Sequence, residues 1–90
     1  MRLDKYLKVS RIIKRRPVAK EVCDAGRISI NGRPAKAGSE VKLGDILHIS
    51  YGNRRLEVQV MVIAETVRAH EAETMYRVIS DVRLNEESPA

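Results

Sequence analysis

The chain has 90 residues, enough for one small domain with a modest core and no room for a catalytic domain beside a binding domain. Its 43% apolar content fits a globular fold, and 17 Lys and Arg against 12 Asp and Glu leave a net charge of +5, which points to a polyanionic partner, nucleic acid first. Phe and Trp are absent, which argues against recognition by several base-stacking aromatics on a sheet, and the single Cys23 rules out an internal disulfide or a cysteine zinc site.

Residues 2–15 have the period of a helix. Leu3, Tyr6, Leu7, Ser10 and Ile13 share one face, Asp4, Lys5, Lys8, Arg11 and Arg15 the other, with Val9 and Ile12 at the margins. Pro17 disfavours helix in the residue before it, so this helix is expected to stop near Arg16. Pro17 suits the first turn of a second helix over residues 17–25, with Val18, Ala19, Val22 and Cys23 as its apolar side and Gly26 as its left-handed stop. Residues 27–30 alternate as a short strand into the hairpin signal Asn31-Gly32. Val41 reads as a brief strand before a turn at Leu43-Gly44-Asp45. Residues 46–51 read as a strand, 52–55 as a turn, and 56–62 as a half-buried antiparallel strand alternating Leu56, Val58, Val60 and Val62. Ala69, Ala72, Met75, Tyr76 and Ile79 have helical spacing, which predicts a C-terminal helix at about 68–80. Residues 85–90 read as a disordered polar tail, leaving 1–84 as one domain.

Arg2, Asp4 and Lys5 stand where the apolar stretch of a signal peptide would begin, and the longest apolar run covers only residues 60–64, so a cytoplasmic chain without membrane contact is expected. Catalytic chemistry finds little support. His48 and His70 have no neighbours at metal-ligand spacing, Cys23 falls on an apolar helix side, and phosphate-binding glycine loops and nucleophile motifs are absent from the sequence. No catalytic residue, cofactor or metal is expected.

The charge is concentrated instead. Residues 1–36 carry eleven basic and three acidic residues, +8, and residues 37–90 carry −3. Lys14-Arg15-Arg16-Pro17 places three adjacent cations at a helix start, where they oppose the dipole and repel one another. An anion reverses that balance, because the first N–H groups of the helix attract phosphate and arginine adds bidentate contacts. A phosphate seat flanked by Arg15 and Arg16 is therefore expected, supported by Arg2, Lys5, Lys8, Arg11 and Lys14, with Arg27, Asn31, Arg33 and Lys36 around the hairpin completing the candidate polyanion-binding set.

The ordered combination of Arg2-Leu3-Asp4 with Leu7, Arg16 with Ala19, Gly26-Arg27-Ile28-Ser29-Ile30-Asn31-Gly32, and Val41 with Gly44-Asp45-Ile46 resembles the S-four RNA-binding domain family. Where that family often has Ser before the arginine of helix 2, this chain has Arg15, which removes a hydroxyl cap and adds charge. The start of the chain and the later Glu-Ala-Glu-Thr-Met-Tyr are similar to the small stand-alone bacterial members of ribosome-associated quality control, relatives of heat-shock protein fifteen. The resemblance implies an α+β fold, two N-terminal helices on a small antiparallel sheet followed by a C-terminal helix. It further implies a non-enzymatic factor that binds obstructed large ribosomal subunits, touches 23S ribosomal RNA and peptidyl-tRNA near the P site, and supports alanine tailing by an Rqc-H-type partner; a monomer is expected. Arg2 and Arg16 are then the essential RNA contacts, and Arg54 in the acidic half a control. An S-four protein of ribosome assembly or heat-shock rescue, and a helix-turn-helix DNA-binding regulator, are the alternatives.

Overall fold

The computed structural model describes residues 1–83; residues 84–90, which include the expected tail, lie outside the described residues. Helix α1 spans Leu3–Val9 and helix α2 spans Arg16–Asp24. They are followed by β1 (Ile28–Ile30), β2 (Arg33–Pro34), β3 (Ile46–Tyr51), β4 (Arg54–Val60), a 3-10 helix over Ala69–Met75, and β5 (Tyr76–Arg83). The strands form one antiparallel sheet in the order β2-β1-β3-β4-β5.

The expected apolar face of the first helix is buried as a unit: Leu3, Tyr6, Leu7, Ser10 and Ile13 are all at most 2% exposed. The helix itself is shorter than its periodicity. It stops at Val9, with Ser10 as its cap, and Arg11 takes the left-handed conformation at φ 63. The Ile13 N–H then reaches back to the Leu7 carbonyl at 3.1 Å and satisfies an end-of-helix acceptor. Residues 10–15 form the connection to α2, which packs against α1. Helix α2 begins one residue before Pro17 and ends at Asp24, with Gly26 at φ 75 stopping it as expected. Its Ala19, Val22 and Cys23 are buried.

Asn31 (φ 53) and Gly32 (φ 83) form the tight turn between β1 and β2; both positions need positive φ, which this residue pair supplies. The Asn31 side chain also clamps the next element. Its amide donates to Asp45 Oδ1 at 3.1 Å and its carbonyl oxygen accepts the Ile46 N–H at 2.9 Å. Register pairs Ile28 with Ile49, Ile30 with Leu47, Leu47 with Val58 and Ile49 with Leu56. These residues face the helices in one cluster with Tyr6, Leu7, Cys23 and Met75. The opposite sheet face carries polar groups, among them a His48–Glu57 pair at 3.4 Å.

Strand β3 lies where the alternation predicts it, whereas β4 starts and ends two residues earlier than expected, because the hairpin turn is closed by Gly52 and Asn53 alone. Val41 is buried but is not a strand residue. Its neighbour Glu40 makes an isolated bridge with Arg2, and the Val41 N–H donates to the Met1 carbonyl at 2.8 Å.

The largest departure is at the C-terminus: residues 68–80 are not an α-helix. Ala72 and Met75 are three residues apart and buried, which matches the 3.0-residue turn of a 3-10 helix. From Tyr76 onward the chain is a strand paired along the whole of β4, Val60 with Tyr76 through Arg54 with Arg83. The open backbone edge of β4 and the β-branched Val78, Ile79 and Val82 decide this, and neither effect depends on helical spacing. The buried Tyr6 hydroxyl ties the segment to α1 by donating to the Met75 carbonyl at 2.7 Å.

Candidate RNA-binding face

The first turn of α1 is held by a strap, residues 37–41. The Leu3 N–H donates to the Ser39 carbonyl at 2.8 Å and the Asp4 N–H to the Ala37 carbonyl at 3.1 Å, so the strap satisfies donors that a helix start leaves free. Under this strap Asp4 is 2% exposed, although the sequence places it on the polar side. A buried carboxylate needs partners, and Asp4 has three. Its Oδ1 accepts from Arg2 Nε at 3.1 Å and from the Lys5 N–H at 2.8 Å, and its Oδ2 accepts from Arg2 Nη2 at 3.3 Å. On the same Oδ2, Arg16 Nε forms an ion pair at 3.5 Å.

One carboxylate therefore brings together Arg2, which precedes α1, and Arg16, which opens α2. The arginine side chains remain 55% and 48% exposed, so each guanidinium has an edge on Asp4 and an edge available to an external anion. Burial acts to raise the Asp4 carboxyl, but the Arg2 hydrogen bond, the Arg16 charge and the Lys5 N–H outweigh it and hold the group below its ordinary value of 3.8. The ion pairs are thus intact at neutral pH.

Beside this pair, α2 starts as the charge run suggests. Arg15 caps it in an extended conformation, no side chain caps its N–H groups, and no acidic residue lies in its first turn. The helix start accordingly keeps its positive end for an anion. Lys8, Arg11, Lys14 and Arg15 are exposed along the same stretch, and none of them pairs with a carboxylate among the described residues. Lys5 is engaged internally with Glu65.

The hairpin residues divide. Arg33 borders a hollow with Ser39 and Glu40, in the strap that Arg2 meets through its bridge to Glu40. Lys36 is in the same strap region, with its N–H donating to Ser39 Oγ at 2.8 Å. Arg27 instead borders a hollow on the polar sheet face with Ser29, His48 and Ser50, and is not part of the Arg2–Arg16 cluster. The Asn31 amide is spent within the protein, on Asp45 and Ile46. Sequence reasoning missed Asp4 as the residue that sets the arginine geometry; an acid between Arg2 and Lys5 within a +8 stretch was the available signal. It also missed that the β3–β4 hairpin carries Tyr51 and Arg54 to the Arg11–Arg15 turn.

The S4 domain matches residues 1–47, a stretch that contains every residue that the sequence assigns to the face but not Tyr51 or Arg54. The chain belongs to the S4 domain family. The chain is 54% identical to the RQC P-site tRNA stabilizing factor of Bacillus subtilis (strain 168), over 96% of this chain and 100% of that protein. It is 51% identical to the factor of the same name from Streptococcus pneumoniae, over 96% and 98% of the two chains. A heat shock protein 15 homolog of Haemophilus influenzae is 33% identical over 97% of this chain and 68% of its own length. Among solved structures, the trimeric heat shock protein 15 of Vibrio cholerae superposes with a TM-score of 0.82 at 30% identity, covering 89% of this chain and 82% of that one. The α+β architecture expected from the S-four resemblance is thereby established. Among the described residues no helix is long and apolar enough to cross a membrane.

Proposed function

We propose that this protein is a non-enzymatic, cytoplasmic RNA clamp of ribosome-associated quality control. It binds large ribosomal subunits obstructed by peptidyl-tRNA, contacts 23S ribosomal RNA and the tRNA near the P site, and holds that tRNA while an Rqc-H-type partner adds alanine to the stalled chain. The observation that carries this reading is near full-length identity of about half to factors named for stabilizing P-site tRNA. The Arg2–Asp4–Arg16 cluster supplies the physical means: two adjacent guanidiniums in fixed geometry fit two phosphate oxygens of a folded RNA backbone, reading shape more than sequence. The protein acts as a monomer in this reading.

The test is reconstituted tailing. Purified large subunits carrying peptidyl-tRNA are mixed with the partner and alanyl-tRNA, with and without this protein. Alanine addition that depends on the protein, and falls with Arg16→Ala, supports the proposal. Tailing at equal rate without it would overturn the proposal. Binding to large subunits without any effect on tailing would favour the alternative reading, a role in ribosome assembly or heat-shock rescue.

A further inference from the structure

Of the three tyrosines, two are used internally: Tyr6 is buried on Met75 and Tyr76 is half-buried against the core. Tyr51, at the end of β3, is 43% exposed. It lines an open depression of about 380 Å³ between the α1–α2 turn and the β3–β4 hairpin, together with Arg11, Lys14, Arg15, Val18 and Arg54. This size lies within the range of small-ligand sites, about 300–1,000 Å³. No acidic residue lines it. Arg54 is committed to Asp81 by paired bonds of 2.8 and 2.7 Å, which leaves Arg11, Lys14 and Arg15 as the cations without a carboxylate partner among the described residues. Arg11 is also held at positive φ, a strained conformation for a non-glycine residue, and such strain persists only where its surroundings fix it.

A π-face set among cations with an aliphatic floor matches one chemistry well: a nucleotide, whose base has a flat apolar surface and whose flanking phosphates are anionic. An acidic peptide would use the cations and leave the ring and Val18 without a purpose. Arg15 adjoins Arg16 in the chain, so an RNA strand seated on the Arg2–Arg16 pair passes close to this depression. We propose that it is a second RNA subsite that takes one unpaired nucleotide, with Tyr51 stacking on the base and Arg11, Lys14 and Arg15 holding the adjacent phosphates. This rests on the RNA-binding reading above and adds to it a preference for single-stranded or bulged RNA at this edge.

The experiment compares the full chain with Tyr51→Phe and Tyr51→Leu. The probes are a single-stranded RNA decanucleotide and an RNA duplex with the same number of phosphates, followed by fluorescence anisotropy at one fixed salt concentration. Tyr51→Leu is expected to bind the single strand about tenfold more weakly, as loss of one stacked base implies, while Tyr51→Phe stays near wild type and the duplex is unaffected. Equal affinity of Tyr51→Leu and wild type for the single strand, or an equal loss for both RNAs with the thermal melt unchanged, would overturn the subsite. If Tyr51→Leu does not fold, tyrosine ring signals of the wild-type chain in NMR decide it: an upfield shift of Tyr51 with the single strand and none with the duplex supports stacking, and no shift overturns it. Failure of the wild-type chain to bind either RNA would overturn the RNA-binding reading itself and this subsite with it.

Discussion

Replacing Asp4 by Asn separates positioning from charge. The amide keeps the carboxylate's shape and can still accept the Lys5 N–H at 2.8 Å, but it loses the ion pairs to Arg2 at 3.1 Å and to Arg16 at 3.5 Å. Bonds to charged groups contribute about 1.5–3 kcal/mol, and the half-exposed guanidiniums bring that toward the 0–1 kcal/mol of surface pairs, so Asp4→Asn should cost about 1–2 kcal/mol of folding stability. On charge alone the substitution raises the net charge from +5 by one unit and should tighten binding to a polyanion. If Asp4 acts by fixing two arginines, binding should instead weaken, by about 1 kcal/mol or roughly fivefold, as the guanidiniums spread into separate rotamers. The assay is an equilibrium titration of purified large subunits carrying P-site tRNA. Binding as tight as wild type, or tighter, would refute the positioning argument. The pH dependence has a definite sign. Asp4 is held below its ordinary value of 3.8, so its contribution is complete above about that pH and is lost as pH falls through the lower folded-state value. Asp4→Asn should therefore flatten the acid limb of the stability curve and leave the neutral region parallel to wild type.

Other substitutions test the frame that carries the face. Tyr6→Phe removes the 2.7 Å bond to the Met75 carbonyl, which still accepts from the Met61 and Val62 N–H groups, so stability should fall by about 0.5–1.5 kcal/mol in urea titration without a change in RNA affinity. Asn31→Ala loses two bonds, at 3.1 and 2.9 Å, and strains a residue at φ 53; a loss of about 1–2 kcal/mol is expected, with Asn31→Gly recovering the backbone part. Cys23 is fully buried and its thiol is pushed up to about 11, first by burial and then by Asp4 and Asp24, so alkylation in the native protein should be slow and should follow unfolding when urea is added.

What could be read from the sequence follows how local each signal is. Asn31-Gly32 and the stop at Gly26 depend on the φ demands of single residues, and they are found where the sequence places them. The buried set of α1 survives although the helix ends at Val9, because burial of Ile13 depends on the fold bringing it inward and not on helix continuing to residue 15. Strand β5 was not legible: Ala69, Ala72, Met75, Tyr76 and Ile79 fit a helical period, and only the unpaired edge of β4, set by distant residues, turns Tyr76–Arg83 into a strand. The candidate face shows the same division. The basic run at the start of α2 is visible as composition, and its exposure follows from the helix start. The union of Arg2 with Arg16 is not visible, since it requires the 37–41 strap to bury Asp4 between them. Arg54 looked like a remote control residue in the acidic half, yet the β3–β4 hairpin returns it to the Arg11–Arg15 turn, so its removal is no longer a neutral comparison.

The most direct test of the central claim, that the Asp4-held arginine pair engages RNA on a tRNA-bearing large subunit, is co-sedimentation at two salt concentrations. Wild type and the Arg2→Ala/Arg16→Ala double variant are compared on purified large subunits with and without peptidyl-tRNA. The account expects wild type to favour the tRNA-bearing subunits, with affinity falling steeply as salt rises, and the folded double variant to lose at least tenfold. Equal binding to both kinds of subunit, or undiminished binding by the double variant, would contradict it.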